Sequence, residues 1–303
     1  MRGLLFQVVV LAGAVGAGFW GRGRMVNVLP VATVLDVSQP PRALTEWYYA
    51  DGRVNPEGVN PRKSPDLIRT PAKEWLVLYN PGTLDVNAAI TFYFTQGNPL
   101  TITKVVPPHA GLSVPVDELI PQDAQYGVRV RSDRMVIVQP SRGEYIPGSP
   151  VTQAMASFIA HPGPLGKRET KWVYADGLVL KNESDLEEWE WVSILNPDES
   201  RPAKITLRFE TSGITTTHSL TVGAQKAATV DLMHLDAFPK NKLVGVTTES
   251  DIPVVVQQVR RAYKKGETTI AAMWACLAFP IGDDEIPFIA RKNSPDVKRG
   301  SSF

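Results

Sequence analysis

Two copies of one short phrase carry the side chains best suited to binding a ligand. TEWYYADG stands at 45–52 and TKWVYADG at 170–177. Each phrase holds a tryptophan, a tyrosine and an aspartate at alternate positions: Trp47, Tyr49 and Asp51, then Trp172, Tyr174 and Asp176. Aromatic faces stack on a sugar or a peptide, while a carboxylate accepts hydrogen bonds from hydroxyl groups. Alternatively, Asp followed by Gly forms a tight turn, and both aromatic side chains pack inside a β-sandwich.

A glutamine and an arginine recur at one spacing directly after the most apolar segment of each copy. They are Gln139 with Arg142, and Gln257 with Arg260. An amide and a guanidinium placed there would hold a carboxylate or a neighbouring subunit. Equally, the glutamine ends a strand by bonding backbone, and the arginine pairs with an acid such as Asp251 or Glu249.

The phrase EWEW at 188–191 places Trp189 and Trp191 on one face of a strand. Only Trp191 has a counterpart in the first copy, Trp75, so we assign Trp191 to the core. Trp189 is therefore the better candidate for an exposed binding residue.

Motifs for catalysis and for cofactors are missing from the sequence. It has no G-x-S-x-G elbow and no glycine-rich phosphate loop, and its four histidines form no H-x-H or H-E-x-x-H pair. We therefore predict a protein that is not an enzyme, with no cofactor and no metal site. The 32 Lys and Arg balance 31 Asp and Glu, which argues against nucleic acid as a partner, and the basic run from Arg260 to Lys265 is assigned to a solvated turn.

An internal duplication organises the chain. EWLVLYNP at 74–81 matches EWVSILNP at 190–197, and VRVRSDRMVIVQPSR at 128–142 matches VTTESDIPVVVQQVR at 246–260. We place the first domain at 45–162 and the second at 170–280, with a flexible tail at 281–303.

The periodicity of both copies is that of β-strands. AKITLRFE alternates Ile205, Leu207 and Phe209 with polar residues, which predicts one buried and one solvated face. The continuous apolar run at 254–256 predicts a central strand covered on both faces. Short strands separated by turns predict an all-β chain of two tandem antiparallel β-sandwich domains with little helix.

The first 24 residues predict a signal peptide or a membrane anchor, because 4–20 contains no charge and arginines flank it. Residues 25–44 form a spacer. We expect a membrane-anchored or exported protein. If Met25 is the true start, a cytoplasmic protein is expected instead.

The second copy resembles the sensory rhodopsin transducer family over nearly its whole length, through SILNPDESRPAKITLRFE, VTTESDIPVVVQQVR and AAMWACLAFP. The shared features include a Trp followed five residues later by Gly, and a Glu before the ILN strand, here Glu190 and Glu74. The resemblance implies a compact β-sandwich, assembly into a tetramer and a role in relaying a signal from a membrane photoreceptor. Where the family pattern has histidines, this chain has Trp189 or Lys73, and Gln258 or Pro140, so a site built on imidazoles is not expected.

These observations together predict a non-catalytic binding or scaffolding protein whose partner is a protein or a sugar. We expect its two domains to pair about a pseudo-twofold axis and two such chains to form a dimer. One alternative is an exported module that binds carbohydrate or cell envelope through Trp189 and the Asp176 cluster. Another is a cytoplasmic signalling adaptor that uses the basic turn near Arg261.

Overall fold

The computed structural model describes residues 44–55, 71–145, 152–181, 185–264 and 270–281 of the 303-residue chain. The predicted leader at 1–24, nearly all of the spacer and nearly all of the tail lie outside these residues. Within the described ranges, no helix is long and apolar enough to cross a membrane.

The first half of the chain forms a β-sandwich of two sheets. Sheet A has the strand order β4-β3-β6-β1-β9, and sheet B has the order β5-β2-β7-β8. The elements are β1 (Glu46–Val54), β2 (Ala72–Tyr79), β3 (Val86–Phe94), β4 (Leu100–Val106), β5 (Gly111–Pro115), one helical turn α1 (Val116–Leu119), β6 (Ala124–Ser132), β7 (Ile137–Tyr145), β8 (Thr152–Ser157) and β9 (His161–Pro162).

The second half repeats this topology strand for strand. Sheet C, with the order β13-β12-β15-β10-β18, corresponds to sheet A, and sheet D, with the order β14-β11-β16-β17, corresponds to sheet B. After a 3-10 turn at Lys167–Thr170 come β10 (Lys171–Gly177), β11 (Leu186–Asn196), β12 (Ala203–Thr211), β13 (Ile214–Val222), β14 (Lys226–Asp231), β15 (Val244–Ser250), β16 (Val255–Lys264), β17 (Ile270–Leu277) and β18 (Phe279–Pro280). The prediction of an all-β chain with two antiparallel sandwiches is confirmed.

The outer strands show an alternation of apolar and polar residues. In β12, Ile205, Leu207 and Phe209 are buried, and the residues between them are at least partly exposed. Successive strand residues point to opposite faces of a sheet, so this pattern gives sheet C one face for the core and one for solvent. Phe209 packs edge-on against Phe238 at a ring separation of 5.1 Å.

Sheet D of the second half lies at the contact with the first half. One of its faces covers sheet C, and the other packs on sheet A, with β16 against β1 and β14 against β3 and β6. Tyr48, Ala50 and Tyr93 of sheet A therefore join the hydrophobic core of the second domain. A Cβ on Gly127 of β6 would lie 2.8 Å from Leu195 Cδ1, so only glycine permits this close approach.

Because sheet D is covered on both sides, Val254, Val255 and Val256 are all buried, as the continuous apolar run predicts. The contact agrees with the predicted pseudo-twofold pairing of the domains only in part. β8 lies against β17, its counterpart, as a twofold axis requires, but β16 packs on β1 without a comparable contact between β7 and β10. Sheet D therefore contacts sheet A through one face and sheet B through the neighbouring edge strands β17 and β8.

Candidate functional site

The repeated tryptophans and tyrosines lie inside the sandwiches. Trp47, Tyr49, Trp172 and Tyr174 are all at most 7% exposed. The Trp172 indole N–H donates to the Val254 carbonyl at 3.0 Å, and the Trp47 indole makes the equivalent bond of 2.7 Å to the carbonyl of Val136. The packing alternative is confirmed for these four side chains.

Trp189 is also buried, at 7% exposed, so its predicted exposure is wrong. Its ring lies 6.3 Å from that of Trp191 and 5.8 Å from that of His234. The reason is the position of β11 inside sheet D, where protein covers both faces of the strand at Trp189, Glu190 and Trp191.

The Ala-Asp-Gly part of each phrase forms a β-bulge within a continuous strand, so the predicted tight turn is also wrong. Pairing of β1 with β6 shifts register between Tyr49 and Gly52, and pairing of β10 with β15 shifts between Tyr174 and Gly177. A bulge leaves an extra residue outside the ladder and redirects its backbone groups. The N–H groups of Ala50 and Asp51 are thereby free to bond outside sheet A.

A buried polar cluster lies beneath the first bulge. Glu74 of β2 accepts a hydrogen bond of 2.8 Å from the Tyr49 hydroxyl and one of 3.0 Å from the Arg53 backbone N–H. Arg142 of β7 lies 3.1 Å from the same carboxylate and 2.8 Å from the carboxylate of Asp51. Arg142 also donates to the Asp51 backbone carbonyl. One arginine thus holds two carboxylates and the bulge together.

The second domain contains the same cluster. The Glu190 carboxylate accepts a hydrogen bond of 2.9 Å from the Tyr174 hydroxyl and one of 2.8 Å from the Leu178 backbone N–H. Arg260 lies 2.8 Å from Glu190 and 3.7 Å from Asp176. Arg260 therefore pairs with Glu190 and Asp176, and its predicted pairing with Asp251 or Glu249 is wrong.

The second domain covers the first cluster. The Gln257 side-chain oxygen accepts hydrogen bonds from the N–H groups of Ala50 at 3.3 Å and of Asp51 at 3.1 Å. The Ser193 hydroxyl donates to the Asp51 carboxylate at 2.8 Å. Gln257 thus bonds backbone, as one alternative proposes, but the backbone belongs to the other domain.

An ion pair also joins the two domains next to the first cluster. Arg261 of β16 lies 2.5 Å from the buried carboxylate of Glu144 on β7, and its guanidinium stacks 4.9 Å from the centre of the Trp191 ring. Arg260 and Arg261 are 6% and 2% exposed, so they are not part of a solvated basic turn. The contact point proposed for a signalling adaptor near Arg261 is consequently inside the molecule.

The bulge above the second cluster is open to solvent, although Glu190 and Arg260 beneath it are buried. The Asp176 side chain is 61% exposed, compared with 12% for Asp51. Ala175 beside it is exposed as well, whereas Ala50 is buried. Gln139, the counterpart of Gln257, is exposed on sheet B and donates to the Ser157 hydroxyl at 2.6 Å. The two copies share their residues and differ in what covers them.

Burial controls the charges in both clusters. It raises the pKa of Glu74 and of Glu190, and the nearby arginines offset this only in part. Burial also raises the pKa of Asp51, but Arg142 and Arg261 outweigh it and hold that pKa below its usual value. The pKa values of Tyr49 and Tyr174 are raised well above the normal tyrosine value, again mainly by burial, so both remain neutral donors.

Several members of the site were not candidates from the sequence. Glu74 and Glu190 stood out only as repeated positions, and Ser193 and Glu144 have no equivalent residue in the other copy. Arg261 was a candidate only as part of a basic turn. The signal for the two glutamates is a charge within a buried strand in both copies. Among the described residues, no group of three or more His, Cys, Asp or Glu side chains is placed to hold a metal ion.

Comparison with known proteins identifies the domain. A family model described as Anabaena sensory rhodopsin transducer matches residues 43–161 and 166–280. The crystal structure of Thermotoga maritima 1070 is 24% identical, with 40% of this chain and 96% of that chain covered and a TM-score of 0.33. The Anabaena sensory rhodopsin transducer is 23% identical, with 34% and 91% covered and a TM-score of 0.27. No curated protein matches. Because the family model accounts for most of both sandwiches, the chain belongs to the Anabaena sensory rhodopsin transducer family and carries two copies of its domain.

Proposed function

We propose that this protein is a non-catalytic scaffold that binds a protein partner at the open cluster around Asp176. The observation that supports it is the covered copy of the same cluster. Asp51 and its bulge are occupied by Gln257 and Ser193 of the neighbouring domain, which is a protein surface. The equivalent bulge at Asp176 offers the same backbone and carboxylate groups to solvent.

The covered cluster also defines the chemistry of the partner. An amide oxygen accepts from the two bulge N–H groups, and a hydroxyl donates to the aspartate. We infer that the partner presents a flat strand surface with a Gln or Asn beside a Ser or Thr. Matching polar groups of this kind fix the register of an interface more than they raise its affinity.

The buried groups of the cluster favour a binding role over catalysis. Glu190 already accepts hydrogen bonds from Tyr174, Leu178 and Arg260, so its carboxylate is held by the protein itself. A general acid or base must instead reach the proton of a substrate. The name of the family supports a partner in signal transduction.

A sugar ligand receives no comparable support. Stacking on a sugar requires an exposed aromatic face, and Trp172, Tyr174 and Trp189 are each at most 7% exposed. The exported carbohydrate-binding alternative therefore loses its aromatic contact points and keeps only Asp176.

The partner can be sought with a photo-crosslinking amino acid at Ala175, in cells that express the full chain. We expect a defined protein to be captured from Ala175 and not from a control position, Thr103, which is exposed on β4. The purified captured protein should bind wild-type chain at least about tenfold more tightly than Asp176→Lys. Equal affinity for both, or no capture from Ala175, would contradict the proposal.

We further propose that the apolar segment at 4–20 attaches this scaffold to a membrane or directs its export. Its lack of charge and its flanking arginines support this. Fractionation of cells expressing the full chain, beside a version that begins at Met25, tests it. If both versions are recovered in the same soluble fraction with equal protease accessibility, the segment has no such role.

A further inference from the structure

One edge strand of the second domain is unprotected. β13 contains nine residues, Ile214–Val222, and none of them is charged. The outer strands of a sheet expose unpaired backbone N–H and C=O groups, and proteins usually protect them with charge, proline, short length or a covering element.

The other edge strands in the described part of the chain have such protection. β4 carries Lys104, β5 ends at Pro115, and β9 and β18 contain two residues each. β8 and β17 lie against each other, and β14 carries charge at Lys226 and Asp231. β13 is therefore the exception among them.

The hairpin turn determines which groups of β13 point outward. Ser212 and Gly213 form a two-residue loop with φ of 38° and 83°, and Thr211 pairs with Ile214. In such a hairpin the pair that closes the loop is hydrogen-bonded, and hydrogen-bonded pairs alternate with non-bonded ones. The even-numbered residues of β13 thus bond to β12, and the odd-numbered ones direct their backbone groups away from sheet C: Thr215, Thr217, Ser219 and Thr221.

These four outward residues form a self-complementary row. In an antiparallel pairing of two β13 strands about a twofold axis at His218, Thr217 lies opposite Ser219 of the second copy, and Thr215 lies opposite its Thr221. Every outward N–H and C=O group of both strands then has a partner, and the opposed side chains are all hydroxyls. Cross-strand hydroxyl pairs are favourable, and no like charges oppose each other.

We propose that two copies of this chain associate through β13, so that two five-stranded C sheets join into one continuous sheet. The pairing also covers Ile214, which is 47% exposed and would lie opposite Val222 of the second copy. This interface is separate from the Asp176 cluster, so its failure leaves the proposed partner site untouched.

The register can be tested by a cysteine at the axis. The exposed native thiol, Cys276, is first replaced by Ser in the full chain. Two residues opposite each other in a non-bonded antiparallel pair have Cα atoms about 4.5 Å apart, which suits a disulfide. Under mild oxidation we expect His218→Cys to form a covalent dimer. Thr217→Cys should not, because its two copies lie more than about 7 Å apart.

Thr217 is more exposed than His218, so random collisions would crosslink the control at least as well. A dimer with Thr217→Cys as abundant as that with His218→Cys, or no dimer with His218→Cys, overturns the proposal. Thr103→Cys on β4 is a second control.

A charge exchange provides an independent measurement. His218→Glu and His218→Lys each place like charges opposite one another and should reduce the measured mass to that of one chain, 33.2 kDa. An equimolar mixture should restore twice that mass. A mixture that stays at the mass of one chain, or single variants that remain dimeric while circular dichroism shows them folded, would also refute the proposed pairing.

Discussion

Asp51 and Asp176 occupy the same position in the two copies of the domain, but the side chain of Asp51 is 12% exposed and that of Asp176 is 61% exposed. Asp51 lies 2.8 Å from Arg142 and accepts a hydrogen bond from Ser193, whereas Asp176 lies 3.7 Å from Arg260. The second domain covers the first aspartate and leaves the second available.

This difference predicts unequal effects of one substitution. Asp51→Asn should lower the free energy of unfolding by about 2–3 kcal/mol, because it removes one partner of a buried ion pair while Arg142 keeps Glu74. Asp176→Asn should change it by less than about 0.5 kcal/mol, since an exposed pair at this distance contributes little. Urea denaturation of both variants gives the comparison. Equal losses would mean that the two sites are equally buried.

The glutamines form a second matched pair. Gln257→Leu removes the side-chain oxygen that accepts from the N–H groups of Ala50 and Asp51. We expect the free energy of unfolding to fall by about 2–4 kcal/mol. Gln139→Leu, on the exposed face of sheet B, should stay within about 0.5 kcal/mol of wild type. Thermal unfolding of both variants measures the difference. A harmless Gln257→Leu would show that this amide does not hold the domains together.

The outer strands were predictable from the sequence, and sheet D was not. β12 shows its two faces by alternation, because one of them is solvated. In β11, Trp189, Glu190 and Trp191 are consecutive and all buried, and no alternation remains to be read. The duplication identified Arg142 and Arg260, but which copy is covered depends on how one domain packs on the other, and no local pattern encodes that.

The buried ion pair between Arg261 and Glu144 should show strong coupling. Arg261→Met leaves Glu144 buried without this partner, so it should lower the free energy of unfolding by about 3–5 kcal/mol. In a double-mutant cycle with Glu144→Gln, we expect a coupling energy of about 2 kcal/mol or more. The partly exposed pair of Lys171 and Glu249, 3.1 Å apart, is the control and should couple by less than about 1 kcal/mol. If both pairs show the same coupling energy, burial does not strengthen the interaction of Arg261 with Glu144.

Acid should weaken the covered site through Asp51. Its pKa in the folded protein lies below the ordinary value of 3.8, because Arg142 and Arg261 outweigh the effect of burial. A carboxylate with a lowered pKa contributes stability above its unfolded pKa and loses it as the pH falls through the folded pKa. Glu74 and Glu190, whose pKa values are raised, act in the opposite sense, so wild-type stability alone does not isolate Asp51.

The difference between wild type and Asp51→Asn does isolate it. We expect this difference in unfolding free energy to be constant above about pH 5 and to shrink as the pH is lowered through 3.8 and below. The difference between wild type and Asp176→Asn should remain near zero throughout. Urea titrations at a series of pH values measure both curves. A gap for Asp51→Asn that widened toward acid would mean that the pKa of Asp51 is raised in the folded protein, and that the arginines do not hold it ionised.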